Sequence, residues 1–366
     1  MGWLAKASTF SLQFSLQRSG RALVLLACLL IAPSIAKAEK AYVVNGGNDT
    51  VSVVDTANNS TLATIAVASP TRIASIPGGS KVYISRATAG VVSVIDTTTE
   101  TVVRTVNVGV DPRGLSITPD ASRAYVVNNG SNSISVIDTA TDTVSGAPIA
   151  VGSGPSDVAV AAVGSRAYVS NQNDNTVSII DTSSNTVLTT LSVGTTHTRI
   201  AVSRNGLRVY VANQGNNTVS VIDTTTNTVI AAVSVGNSPR STAVTPDGTK
   251  VYVVNGISNT VSVIDTGSNT VASTVSVGNG PRGVGVTSDG LKAYVTNSVG
   301  NSLSVINTST DTVSATVTGF SGPVAIAFAP FVTPVPTLGQ WALLVLGLLL
   351  GAVAVARLGR VRPPLA

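Results

Sequence analysis

A motif of about 42 residues recurs seven times along this 366-residue chain. Each copy contains one tyrosine and the chain has no others; they are Tyr42, Tyr83, Tyr125, Tyr168, Tyr210, Tyr252 and Tyr294. Successive tyrosines are 41, 42, 43, 42, 42 and 42 residues apart. Seven units of nearly equal length are typical of repeat architectures in which each unit forms one blade or one turn of a larger body.

Each unit contains four short apolar runs separated by turn residues. In the sixth unit the runs begin at Thr242, Val251, Thr260 and Thr270, with PDG, GISN and TGSN between them. Short runs of β-branched residues between Asn- and Gly-rich turns predict strands, and four per unit predict one antiparallel blade. We name the strands of a blade a, b, c and d, from the central channel outwards. The predicted fold is an all-β, seven-bladed β-propeller.

The first unit begins at strand b, so its strand a must come from elsewhere. Residues 41–45 resemble the b strands of later units, and nothing like strand a precedes them. Pro323 and Pro330 are seven residues apart, like the proline pairs that flank strand a in other units, and VAIAFA lies between them. We expect this run to complete the first blade and close the ring, which leaves no exposed sheet edge. The units of 41 and 43 residues differ from the others in strand d or its exit.

Both ends of the chain carry segments typical of export and membrane attachment. Residues 1–38 combine basic residues, an apolar run at 22–32 and the pattern Ala36-Lys37-Ala38. This predicts a signal peptide that uses the export machinery and is cleaved by signal peptidase between Ala38 and Glu39. Lipidation of Cys28, the one cysteine, is the alternative; the apolar run continues past it, which favours the later site.

The C-terminal segment predicts a membrane anchor. Residues 338–356 are 19 largely apolar residues, and a basic tail, 357–366, follows them. Such a stretch is just long enough for a transmembrane helix, and the arginines predict a cytoplasmic tail. The predicted order is therefore signal peptide 1–38, propeller 39–330, linker and sorting motif 331–337, helix 338–356 and tail 357–366. The propeller is expected outside the cytoplasmic membrane.

The net charge of +5 comes from the two ends of the chain. Seven of the 22 Lys and Arg residues lie in 1–38 and 357–366, which leaves 15 against 17 acidic residues in the body. A body without excess positive charge gives no reason to expect a nucleic-acid partner.

Few side chains are available for catalysis or metal binding. His197 is the only histidine, and Glu39 and Glu100 are the only glutamates. These counts exclude haem attachment, a multi-histidine copper cluster and a Cys/His zinc site. Residues 171–175 (NQNDN) faintly resemble a calcium loop but hold one carboxylate and lack the distal glutamate. We expect no catalytic residue, no metal and no cofactor.

Two repeated positions are predicted to be structural. A basic residue two before each tyrosine should face the residue 13 after it across strands b and c. The pairs are Lys40–Asp55, Lys81–Asp96, Arg123–Asp138, Arg166–Asp181, Arg208–Asp223, Lys250–Asp265 and Lys292–Asn307. The aspartate should also bond the backbone of its own D-T-x-x-N turn, and the asparagine three after the tyrosine should bond the b–c loop backbone.

The remaining charges are expected at one mouth of the channel. Five arginines follow the proline position of the d–a connections by one or two residues; they are Arg72, Arg113, Arg199, Arg240 and Arg282. Asp111 and Asp157 lie in the same region, and His197 takes the place of the proline. Converging guanidinium groups suit carboxylates and phosphates, so we expect an anionic small molecule or an acidic glycan as ligand. Arg113, Arg240 and Arg282 are favoured because each directly follows proline; ordinary solvated loop charges are the alternative.

The motif Tyr294-Val295-Thr296-Asn297 resembles the YVTN-repeat β-propeller family, and the likeness covers about 290 residues and all seven units. It implies a surface or cell-envelope protein. We therefore expect a non-enzymatic binding scaffold that recognises its partner on the face with the b–c and d–a loops. Propellers of this kind also resemble lactonase-like enzymes, so a hydrolase of a small ester or lactone is the alternative, with His197, Asp111 and Asp157 as its candidate bases.

The segment VPTLGQW, residues 335–341, resembles an IPTL-type C-terminal sorting signal. The resemblance implies processing by an exosortase-like membrane protease, with recognition at Val335, Pro336 and Thr337. Val335 stands where isoleucine is usual, and Ala342 where glycine often follows the tryptophan. A plain C-terminal anchor is the alternative.

Overall fold

The computed structural model describes residues 39–331, which form seven antiparallel sheets arranged as the blades of a propeller. Strand a of each blade contacts strand a of the blades on either side, so the seven inner strands surround a central channel. Among residues 39–331, no helix is long and apolar enough to span a membrane. The predicted signal peptide 1–38, the sorting motif and the helix 338–356 lie outside the described residues. Glu39, which follows the predicted cleavage site, is described and begins the first strand.

Each blade runs from strand a at the channel to strand d at the rim. Blade 1 has β29 (Pro323–Pro330), β1 (Glu39–Asn45), β2 (Thr50–Asp55) and β3 (Thr61–Ala66); blade 2 has β4 (Pro70–Ser75), β5 (Lys81–Arg86), β6 (Val91–Asp96) and β7 (Thr101–Asn107). Blade 3 has β8 (Pro112–Ile117), β9 (Arg123–Asn128), β10 (Ser133–Asp138) and the split outer strand β11 (Thr143–Val144) and β12 (Ile149–Ala150). Blade 4 has β13 (Pro155–Val160), β14 (Arg166–Asn171), β15 (Thr176–Asp181) and β16 (Thr186–Ser192); blade 5 has β17 (His197–Val202), β18 (Arg208–Asn213), β19 (Thr218–Asp223) and β20 (Thr228–Ser234). Blade 6 has β21 (Pro239–Val244), β22 (Lys250–Asn255), β23 (Thr260–Asp265) and β24 (Thr270–Ser276); blade 7 has β25 (Pro281–Val286), β26 (Lys292–Asn297), β27 (Ser302–Asn307) and β28 (Thr312–Thr318). Short 3-10 helices, Ala87–Ala89 and Asn129–Ser131, lie in the b–c loops of blades 2 and 3.

The core consists of the seams between blades. Strands b and c are buried on both faces, because each sheet packs against a neighbour on either side, and their inner residues are therefore buried without alternation. Strand d alternates between exposed and partly buried residues. All seven repeat tyrosines are fully buried, and each hydrophobic cluster joins residues of two adjacent blades, as Tyr252 of blade 6 packs with Val284 and Val295 of blade 7.

The structure confirms the predicted closure of the ring. Strand β29 pairs antiparallel with β1, with Pro330 opposite Glu39 and Ala327 opposite Tyr42. The predicted position of the length changes is also correct. In the 43-residue unit the outer strand is interrupted, with β11 and β12 both pairing with β10, and in the 41-residue unit β3 has six residues where most outer strands have seven.

The predicted strand register is confirmed, but most of the predicted ion pairs are wrong. Lys81 lies opposite Asp96 along the strands, yet its amine contacts Asp142 of the next blade at 2.7 Å. Asp96 accepts bonds from its own turn, from the backbone N–H groups of Thr98 and Thr99, and the next blade supplies Asp142 as a competing acid. The amine also donates to the Thr139 carbonyl, and the Tyr83 hydroxyl donates to Asp142.

We call this contact between a basic residue, a tyrosine and the next blade's c–d turn the inter-blade clasp. The Lys40–Glu100 and Lys250–Asp311 pairs repeat it at 2.6 and 2.8 Å. Within residues 39–331, the one ion pair that follows the predicted pairing is Arg208–Asp223, at 2.7 Å. At that junction, between blades 5 and 6, Asn269 Oδ1 is buried without a hydrogen-bond partner in the described part of the chain.

The asparagine at the end of strand b also differs from its predicted role. Asn213 donates from Nδ2 to the Thr218 and Ser220 hydroxyls of strand c, at 3.1 and 2.9 Å, instead of bonding the loop backbone. Its side chain lies against Gly194 of the d–a connection, where an added Cβ would come within 2.3 Å of Asn213 Cγ. The asparagine therefore ties strand b to strand c and requires a glycine beside it.

Candidate functional site

Most of the predicted site residues lie inside strand a and not in the d–a connections where we expected them; Asp111, directly before β8, is the exception. Strand a begins at the proline position, because that residue already pairs with the last residue of strand b, as Pro70 does with Arg86. The register then shifts by one residue between Pro70 and Arg72, and corresponding shifts occur in the other blades. Such a bulge changes the direction of the side chains that follow it, so the second and third residues of strand a point in different directions.

Arg72, Arg199 and Asp157 are the third residues of their strands and form one charged cluster in the channel. Burial raises the pKa of Asp157 by more than the nearby Arg199 and Arg72 lower it. Asp157 Oδ2 accepts a hydrogen bond from the Ile200 N–H of the next blade at 3.2 Å. On its other side Asp157 contacts Gly114, where a Cβ would lie 2.2 Å from Oδ1.

Arg199 extends across the channel. Its Nη2 donates to the Val324 carbonyl at 3.5 Å, although blades 5 and 1, which carry these residues, are not neighbours in the ring. Burial lowers the pKa of Arg199, and the charge of Asp157 opposes this. Arg199 Nε is buried and has no hydrogen-bond partner among residues 39–331.

Arg72 is the second buried cation of the cluster. Burial, followed by repulsion from Arg199 and more weakly from Arg282 and Arg113, lowers its pKa to about 9, although the charge of Asp157 opposes the shift. Its Nη1 donates to the carbonyl of Thr71, while its Nε is buried with no partner within the described residues. The cluster thus holds more positive charge than Asp157 neutralises.

The three arginines that the sequence favoured, each the second residue of its strand, have separate environments. Arg113 forms an ion pair with Asp111, at 2.9 Å from Nη2 to Oδ2. Arg240 lies on Gly256, and burial together with the charge of Arg282 lowers its pKa. Its Nε too is buried without a partner in the part of the chain that the structure describes. Arg282 is exposed.

A cavity of ≈ 390 Å³ opens at this mouth and is lined by Arg72 and Arg282, with Gly47, Ser298, Gly322 and Val324. The volume lies in the range of small-molecule sites. The structure therefore brings Arg72, Arg199 and Asp157 together, with Arg113, Arg240 and Arg282 around them. We call this end of the channel the arginine mouth.

His197 begins β17 but is not available to a ligand. The side chain is fully buried, and neither ring nitrogen has a hydrogen-bond partner among residues 39–331. Burial lowers its pKa to about 4, so the imidazole is neutral at neutral pH. Within the described residues, no group of three or more His, Cys, Asp or Glu side chains is placed to hold a metal ion.

Sequence reasoning missed a larger cavity, ≈ 760 Å³, at the other end of the channel, next to the a–b turns. Its walls are mainly apolar and include Val202, Val244, Val286 and Phe328, with Arg204 and Glu39 among the polar lining residues. The signal was present in the sequence, because valine occupies the same place, the sixth, in β17, β21 and β25. We call this end the turn mouth.

Comparison with protein families identifies three matching family models. A model described as YNCE-like beta-propeller matches residues 20–187 and 241–343. A model described as Lactonase, 7-bladed beta-propeller, matches residues 143–272, and the IPTL-CTERM motif matches residues 333–362. These matches confirm the predicted resemblances to a repeat propeller and to a C-terminal sorting signal. No curated protein matches the chain.

Several solved structures share the fold. Hydrazine synthase from Kuenenia stuttgartiensis is 22% identical with a TM-score of 0.68, and the match covers 74% of this chain and 92% of that one. A functionally unknown protein from Desulfotomaculum acetoxidans is 20% identical (TM-score 0.71; 80% and 99% covered). A putative 6-phosphogluconolactonase from Bacteroides fragilis is 16% identical (TM-score 0.70; 81% and 99% covered). At these identities the likeness shows the fold alone.

Proposed function

This chain belongs to the YNCE-like beta-propeller family, and we propose that it is an exported cell-envelope propeller that binds an anionic ligand at the arginine mouth. The ligand class is a carboxylate- or phosphate-bearing small molecule or an acidic glycan. Binding alone, without a chemical step, is the proposed role. Arg72, Arg199 and Arg282 would contact the ligand, while Asp157 would partly offset the repulsion between the two buried guanidinium groups.

The unpaired donors of the arginine cluster carry this proposal. Arg72, Arg199 and Arg240 each have a buried Nε without a hydrogen-bond partner among the described residues. One buried carboxylate, Asp157, interacts with Arg72 and Arg199. Burying a charged donor without a partner is costly. An anion that accepted bonds from these groups would replace the lost hydration and offset the repulsion that lowers the pKa of Arg72.

The proposed location is supported by the C-terminal segment. The IPTL-CTERM match at 333–362 suggests processing by a sorting enzyme and hence a surface location. The basic and apolar segments of residues 1–38 are consistent with export by signal peptide. Together they give the chain a route to the cell envelope, with the propeller outside the cytoplasmic membrane and an exosortase-like protease as the processing partner.

Titration calorimetry with phosphate, citrate and an oligogalacturonate tests the binding. We expect one of these classes to bind, and raised salt to weaken binding because the contact is ionic. Losing one charged hydrogen-bonding partner should weaken the affinity by about 10- to 100-fold in Arg72→Gln and in Arg282→Gln.

The matched control is Arg204→Gln, which removes the same charge at the turn mouth and should leave affinity unchanged. Without ligand, Arg72→Gln should unfold at the same temperature as the wild type or higher, since it removes a poorly compensated charge. Equal affinity of the wild type, Arg72→Gln and Arg204→Gln would overturn the proposal.

A lactonase-like hydrolase is the second candidate, and one observation favours it. The Lactonase model matches residues 143–272, which include Asp157, His197 and Arg199. The environments of two candidate bases argue against a hydrolase, because His197 is fully buried and Asp111 is paired with Arg113. A general base must come within hydrogen-bond reach of the attacking water.

A screen of aliphatic lactones and aryl esters separates the two functions. The binding proposal expects hydrolysis no faster than the uncatalysed reaction. Turnover that Asp157→Asn abolishes, with the fold intact by circular dichroism, would establish the hydrolase instead.

A further inference from the structure

Both ends of the described chain leave the propeller at the turn mouth. Glu39, the first residue of β1, pairs with Pro330, the last residue of β29. Both residues line the cavity at the turn mouth. The arginine mouth lies at the opposite end of the inner strands, beside Pro323, where β29 begins. The exit points of the chain are thus on one side of the body and the proposed ligand site on the other.

The linker to the apolar segment is short. Seven residues, 331–337, separate the end of β29 from the apolar stretch that begins at Leu338. A fully extended chain gains at most about 3.6 Å per residue, so the linker reaches at most about 25 Å.

The path from Pro330 around the body to the arginine mouth is longer than this. It crosses three strand spacings from strand a to strand d, about 14 Å at about 4.8 Å each, and then follows an outer strand of seven residues for about 23 Å. The sum, about 37 Å, exceeds the reach of the linker. The channel offers no shorter route, because Arg199 crosses it to Val324 and buried Asp157 lies at the same level.

We infer that the turn mouth faces the membrane and that the arginine mouth opens away from it while residues 338–356 hold the chain in the bilayer. This inference rests on the membrane attachment within the proposed function, but not on the anionic ligand. The partner of the face with the a–b turns is the bilayer surface. A ligand of the arginine mouth would therefore approach from the side away from the membrane.

Energy transfer from the protein to labelled lipid headgroups tests the orientation. The chain has one cysteine, Cys28, so single labels are readily introduced in a Cys28→Ala background. Ser288→Cys and Ser298→Cys lie in blade 7 on either side of β26, at the turn mouth and the arginine mouth, respectively. The six residues of β26 separate them by about 20 Å.

We expect stronger transfer from position 288 than from position 298 in the full chain reconstituted in liposomes. Inserting about twelve Gly and Ser residues after Thr333 should abolish the difference, because the longer linker can pass around the rim. Equal or reversed transfer in the chain with the natural linker, with the protein floating with the liposomes, overturns the orientation alone. Failure to float with liposomes overturns the attachment and this inference together, whereas loss of anion binding affects only the ligand proposal.

Discussion

Replacing His197 by proline should stabilise the propeller, and the gain should increase as the pH falls. The first residue of strand a is proline in the six other blades; these residues are Pro70, Pro112, Pro155, Pro239, Pro281 and Pro323. Six blades thus fold without a backbone N–H at this position. His197 instead buries an imidazole whose two nitrogens have no hydrogen-bond partner among residues 39–331. The proline variant removes that group and restores the residue common to the repeat.

The size of the effect follows from the pKa of the buried imidazole. Its pKa is about 4 in the folded chain, against about 6.5 for an exposed histidine. Well above pH 6.5 the ring is neutral in both states and contributes no pH dependence. Below pH 6.5 the unfolded chain binds a proton that the folded chain does not, so the free energy of unfolding falls, by about 2 kcal/mol at pH 5 and at most ~3.4 kcal/mol below pH 4.

A gain that does not depend on pH should add to this. Removing a buried, unsatisfied polar group is worth about 1–3 kcal/mol, and proline lowers the entropy of the unfolded chain by about 0.4–1 kcal/mol where the backbone already suits it. The variant should therefore be more stable already at pH 7. The difference between variant and wild type should then widen towards pH 5.

Urea unfolding of the wild type and His197→Pro at pH 7 and pH 5 measures both parts. Carboxylates with shifted pKa values, including Asp157, contribute equally to both proteins and cancel in the difference. His197→Leu is a second variant that removes the titration without the proline effect, so it should share the pH dependence of the proline variant. If all three proteins lose stability equally between pH 7 and pH 5, the buried neutral histidine does not behave as argued.

Three further predictions concern the scaffold and the tail. Truncation before Pro323 should abolish cooperative unfolding, because blade 1 then lacks its inner strand; an unchanged melting profile would contradict the closure. Tyr83→Phe should lower the free energy of unfolding by about 1.5–3 kcal/mol, since its hydroxyl bonds Asp142 at 2.5 Å, whereas Tyr210→Phe, at the junction without a clasp, should change it little. If a sorting enzyme processes the tail, mass spectrometry of the protein from its native host should recover no peptide from residues 341–357, and an intact C-terminus would indicate a plain anchor.

The fold was predictable from the sequence because each unit repeats the same local signals. Seven tyrosines at a nearly constant spacing, four strands per unit and the displaced strand before Pro330 all point to one closed ring. The interactions between blades were not predictable in the same way. The pairing of Lys81 with Asp142 joins residues that are 61 positions apart, and strand register alone gives no information on which blade a long side chain contacts.

The sequence predicted which residues lie at the arginine mouth, but not which of them form the deeper cluster in the channel. The sequence placed five arginines and Asp157 near one end of the channel, and it favoured Arg113, Arg240 and Arg282 because they directly follow proline. The bulge after the first residue of strand a separates the second position from the third. The deep cluster therefore forms from third-position residues, Arg72, Arg199 and Asp157. A bulge leaves no composition signal in these strands, so its effect on side-chain direction appears only in the structure.

The positions at which the units differ carry the proposed function. Strands b and c are nearly identical from blade to blade, because every blade packs against the same kind of neighbour. Strand a varies at its third residue: Arg72, Asp157 and Arg199 are charged, whereas the corresponding residues of β8 and β25 are Gly114 and Gly283. The small residues leave space beside the charged ones, as Gly114 does for Asp157. A symmetric ring thus builds an asymmetric site, because substitutions near the start of strand a alter the channel without disturbing the seams that hold the blades together.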